Sequence, residues 1–239
     1  MWVMGRLRVG LVGLVAFCHA CGGSDPVVEE SPDFEAASGS EIRGRNQGVQ
    51  IQGTLGTIPA RKIDSRMQAK LRKLSRCFMV GMEDVEFVGG SVTLSFRVDN
   101  SGGVEWVFVQ ESNIGHRGTE RCIVTEAART AFPMPRGGSG AEFTWGFAMD
   151  PAGDLRPPVD WGADRVAESI AAAADLQACP GAGHRVTAYV APGGAVLAAG
   201  VASDSEQAAQ GADCVAEAVK ALTLPDPGSY AAKVTFPLD

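Results

Sequence analysis

Six cysteines and three histidines are the residues whose types could give this chain a chemistry. Cys18 and Cys21 belong to an apolar N-terminal region. Cys77, Cys122, Cys179 and Cys214 are spread through the body. A zinc site wants close pairs such as C-x2-C, and a dithiol redox centre wants C-x-x-C; the four body cysteines offer neither. Of the histidines, His116 and His184 fall in the body, where solvated or locally bonded side chains are the reading that fits them. The chain has no G-x-S-x-G, no H-E-x-x-H, no P-loop and no dinucleotide fingerprint. Its carboxylates are scattered over helix surfaces and the N-terminal tether. The residues therefore point to no catalytic site, no cofactor and no metal.

The N-terminus gives the cysteines a setting. Arg6 and Arg8 precede the apolar run VGLVGLVAF (9–17). That run is too short to span a bilayer and has the length of a signal-peptide core, so residues 1–20 read as a signal peptide. Two cleavage patterns compete after it. Cys18-His19-Ala20 puts small residues where signal peptidase I prefers them. Ala20-Cys21-Gly22-Gly23 has the form of a lipoprotein site with Cys21 lipidated, and the polar, acidic stretch that follows favours it. Residues 21–50 lack any apolar period and read as a tether. Export places the body cysteines in an oxidising compartment, where structural disulfides persist.

The body repeats itself. CIVTEAARTAFPMP (122–135) returns as CVAEAVKALTLPDP (214–227). The two halves align without a gap from 91–135 onto 183–227, matching Gly102 to Gly194, Val104 to Val196 and Cys122 to Cys214. In the first half, Ile63, Met67, Leu71, Leu74 and Phe78 form one face of a helix over 59–80. Alternating strands follow at 91–99 and 104–112 around the turn Asn100-Ser101-Gly102-Gly103. A helix over 117–130 ends at Pro133 and Pro135, and a third strand covers 141–149. PAGDLRPPVD (151–160) reads as a linker. The second half repeats the order: a helix over 163–178, strands at 184–191 and 195–203, a helix over 205–222 and a strand at 230–236. The fold class is therefore α+β, with two tandem αββαβ modules at 51–150 and 161–239. Each has a three-stranded antiparallel sheet with two helices on one face. Duplication favours disulfides Cys77–Cys122 and Cys179–Cys214, and cleavage in the linker is expected to release two folded pieces.

A net charge of −7 disfavours nucleic acid as a partner. The first helix is nonetheless basic, and Arg66, Lys70, Lys73 and Arg76 could touch an anionic surface, against the plainer reading of a solvated helix face. A three-stranded sheet also leaves an open edge, which either needs protection or recruits a strand.

The segments GTIPARKIDSRMQAKLRKLSRCF, SVTLSFRVDNSGGVEWVFVQES and GTERCIVTEAARTAFPMP resemble the AgmX/PglI C-terminal domain family of myxobacteria and their relatives, which is related to the TonB C-terminal fold. Gly56-Thr57-Ile58, Cys77, Gly103-Val104, Glu120, Cys122, Phe132, Pro133 and Pro135 carry the likeness over about 56–149. The second half keeps Cys179, Gly194, Val196, Cys214, Pro225 and Pro227 but lacks Gly-Thr-Ile and has Leu224 for Phe132, as a degenerate copy would. The resemblance implies a non-enzymatic envelope protein, connected to envelope or gliding machinery, that binds a protein partner by strand addition. With Cys21 lipidated, it would sit on the periplasmic face of the outer membrane. The competing expectations are a cell-wall or polysaccharide module using Trp145 and Trp161, and an enzyme whose site follows no familiar motif.

Overall fold

The computed structural model describes residues 55–151 and 155–238. The signal peptide, Cys21 and the tether lie outside these residues.

The first half runs α1 (Ala60–Arg76), α2 (Phe78–Gly81), β1 (Gly90–Asp99), β2 (Val104–Ser112), α3 (Arg117–Ala128) and β3 (Gly140–Met149). Its sheet is antiparallel in the order β2-β1-β3. β1 alternates strictly, burying Val92, Leu94, Phe96 and Val98, because only one face of the sheet is covered. Met67 and Leu74 of α1 and Ile123 and Ala127 of α3 complete that core. Phe96 stacks on Phe143 at 5.1 Å between ring centroids, and Phe132 meets both edge-on.

The second half runs β4 (Val159–Trp161), a 3-10 turn (Ala163–Arg165), α4 (Ala167–Ala171), α5 (Ala174–Gln177), β5 (His184–Val190), β6 (Val196–Ser203), α6 (Glu206–Ala209), α7 (Ala212–Lys220) and β7 (Ala232–Leu238). Its sheet has the order β4-β7-β5-β6. Three expectations are corrected here. The end of the supposed linker is a strand, β4, which pairs parallel with β7, so the second sheet has four strands rather than three. The helix expected over 163–178 is broken. Val166 and Ile170 share a helical face, but Leu176 follows Ile170 by six residues and falls off it at 100° per residue. Interrupting the helix lets Val166, Ala173 and Leu176 all be buried. The helix expected over 205–222 breaks before α7, at Gly211, where any Cβ would run into the carbonyl of Pro180.

The repetition is visible bond for bond. In the first hairpin Asp99 N–H donates to Gly103 O, and Phe132 N–H donates to Gly102 O at 2.9 Å. In the second, Ala191 N–H donates to Ala195 O, and Leu224 N–H donates to Gly194 O at 2.9 Å. Gly102 and Gly194 have φ of +91° and +87°, and a Cβ on either would strike the carbonyl of Phe132 or Leu224. Both positions thus require glycine twice over, by backbone angle and by contact. Even the irregularity between Arg97 and Val98 recurs between Tyr189 and Val190. Disulfides join Cys77 to Cys122 and Cys179 to Cys214. Each ties the end of the first helical segment to the helix that precedes Pro-x-Pro.

The two halves are not separate bodies. The described residues belong to one compact unit, and the first core takes in Tyr189, Ala198 and Ala202 from the second half. β5 and β6 are buried on both faces almost throughout, which is why AVLAAGVAS is a continuous apolar run rather than an alternating one. The two halves thus share part of one interior.

Candidate interaction site

Two places concentrate polar groups or unpaired backbone: the seam between the halves and the outer edge of the first sheet.

The seam is built by the start of α3. His116 caps the helix: Thr119 N–H donates to His116 Nδ1 at 3.0 Å, which fixes the proton on Nε2, 3.0 Å from Asp84 Oδ2. The hydrogen bond from His116 holds the Asp84 carboxyl below its ordinary range. His116 is therefore a buried capping residue, a role no local motif announces. One turn on, Glu120 is completely buried. Ser112 Oγ lies 2.7 Å from Oε1, and Val201 N–H of the second half donates to Oε2 at 2.8 Å. Arg117 Nη1 stands 3.8 Å away, and its Nε donates to Asp213 of α7 at 2.7 Å. Desolvation outweighs these hydrogen bonds and pushes the Glu120 carboxyl up to about 7. Gly200 makes the approach feasible, since a Cβ there would collide with Glu120 Oε1 and the backbone of His116. A group with no accessible surface cannot meet a substrate, so Glu120 acts as a latch between the halves. Around it, Thr187 Oγ1 donates to Ser112 O, the ring of Phe87 lies 5.4 Å from that of Tyr189, and Lys233 Nζ donates to Gly89 O. β2 and β6, the edge strands on this side, come together without joining into one sheet.

The opposite edges differ from each other. β3 and β7 hold equivalent places in the two sheets. β7 is covered by the chain's own β4, paired at Val159–Ala232, Asp160–Lys233 and Trp161–Val234. Among the described residues no strand pairs with the outer edge of β3. Its start is held where Gly56 N–H donates to Gly140 O. Beyond that, alternate residues up to Met149 direct N–H and C=O groups away from β1. β3 pairs with β1 over ten residues without a register shift, so this edge is straight, and Glu142 is its one charged residue.

The other sequence candidates fall in three places. Arg66, Lys73 and Arg76 are exposed on α1, whereas Lys70 is half-buried and its Nζ donates to the carbonyl of Arg129 at 3.0 Å, closing the end of α3. Trp145 is not a free aromatic. It is 3% exposed, and its Nε1–H points to Asp64 Oδ1 at 3.4 Å, which removes half of the glycan-binding expectation. Trp161 is half-buried, packs on the second core and has the Arg165 guanidinium over its ring. Among the described residues no group of acidic, histidine or cysteine side chains is arranged to hold a metal, and no helix is long and apolar enough to cross a membrane.

No protein-family model, curated protein or solved structure matches the chain.

Proposed function

We propose that the protein is a non-catalytic envelope lipoprotein, of the kind that the AgmX/PglI resemblance implies, that binds a protein partner by adding the partner's strand to β3. One observation carries this reading. The chain covers the outer edge of β7 with β4, while the equivalent edge of β3 has no strand on it among the described residues. A straight, nearly uncharged edge, uncovered beyond Gly140, is a liability unless something pairs with it. The two disulfides support export to an oxidising compartment, and lipidation at Cys21 would hold the protein at the outer membrane.

The test is a photo-cross-linking side chain at Thr144, on the polar face of β3, in cells that make the protein. Protein adducts should form there, and Ala148→Lys, which sets a charge beside the edge, should remove them. Adducts with glycan alone, or protein adducts indifferent to that lysine, would contradict the proposal.

A further inference from the structure

The charge of this protein is sharply segregated. The whole chain has 21 Lys and Arg against 28 Asp and Glu, yet α1 and α3 together hold nine Lys and Arg against three carboxylates. Those three are engaged. Glu120 is buried, Glu126 pairs with Arg129 at 2.7 Å, and Asp64 faces the Trp145 indole.

Most of the positive charge lies on one side of α1. Ile63, Met67 and Leu74 bury one face of the helix. At 100° per residue, Arg61, Lys62, Arg66, Arg72, Lys73 and Arg76 fall on the opposite arc, and all six are exposed. No carboxylate of the described residues pairs with any of them. The arc does not stop at Arg76. Cys77 keeps helical backbone angles, φ −61° and ψ −25°, so α2 continues in phase. Phe78 and Gly81 extend the buried side, while Met79 and Val80 extend the exposed one, at 63% and 43% exposure. The result is a surface that is cationic along about 25 Å of helix and apolar at one end. Glu83, Asp84 and Glu86 follow in the chain and mark its limit.

We infer that this face of α1 and α2 docks on the surface of an anionic phospholipid bilayer. Headgroup phosphates take the arginines and lysines, and Met79 and Val80 enter the boundary between headgroups and acyl chains. An acidic protein would complement the charges but leave the two apolar side chains unmatched. The contact needs neither the β3 edge nor a lipid on Cys21.

The test sediments the purified Cys21→Ser protein, which carries no acyl chain there, with vesicles of equal parts phosphatidylglycerol and phosphatidylcholine. It should bind them at least about 10-fold more tightly than vesicles of phosphatidylcholine alone. Raising salt from about 0.1 M to about 1 M should release most of it. Arg66→Gln combined with Lys73→Gln should weaken binding about 10–30-fold, since each cation near such a surface contributes about fivefold. Met79→Ser combined with Val80→Ser should weaken it about 3–10-fold, with the thermal midpoint unchanged because both side chains are exposed. No binding to the anionic vesicles, equal binding to both kinds, or undiminished binding by the charge variant would overturn the site. Undiminished binding by the apolar variant would overturn the bilayer as partner, in favour of a general polyanion contact such as an acidic protein makes.

Discussion

Glu120 shows how much a single buried carboxyl can decide. Its folded pKa, about 7, lies above the ordinary carboxylate value of 4.5. The folded state therefore binds the proton more tightly than the unfolded chain. Stability from this group is fully present below pH 4.5 and is lost as pH rises through 7. At about 1.4 kcal/mol per unit, the loss is roughly 2–4 kcal/mol. Glu120→Gln keeps the contacts to Ser112 and Val201 but cannot ionise. Denaturation followed between pH 5 and 8 should find the variant gaining on the wild type by that amount as pH rises; a constant difference would refute the assignment. Gly102 and Gly194 make a second residue-scale case. Alanine at either meets both a positive φ and a backbone carbonyl, and should cost roughly 1–3 kcal/mol, read as a thermal midpoint lower by several degrees. Equal midpoints for the wild type and both variants would contradict the hairpin-to-Pro-x-Pro contact.

Among elements, legibility followed periodicity. β1 and α1 each present one buried face, and their alternating and helical patterns placed them within a residue or a few of their observed ends. The Gly-Gly hairpin turns and the Cys…Pro-x-Pro phrase were readable because each position is fixed by local geometry. The breaks in 163–178 and 205–222 were harder, because alanine suits a helix whether or not one forms. What decides them is the tertiary placement of Leu176 and the closeness of Gly211 to Pro180. β4 was hidden by its length of three residues and by the prolines before it. Neither Glu120 nor His116 carried a local signal for its role at the seam, since their partners lie 81 residues on and 32 residues back. The continuous apolar run of β6 was the one available sign that both faces of that strand are covered.

For the whole molecule, the seam implies one cooperative body. Calorimetry on the protein should show a single unfolding transition. Residues 51–150 expressed alone should be far less stable, having lost Tyr189, Ala198 and Ala202 from their core and exposed Glu120; two resolved transitions in the intact protein would contradict this. If Cys21 carries the lipid, Cys21→Ser should move the protein from the membrane fraction to the soluble periplasm, and retention would show another anchor. The central claim is that one half hides an edge which the other half offers. Amide hydrogen exchange on the purified protein tests it most directly. Alternate amides between Ala141 and Met149 should exchange far faster than those of Ala232, Lys233 and Val234 in β7. Protection of every β3 amide to the level of β7 would mean that the edge is already covered, and would contradict the account.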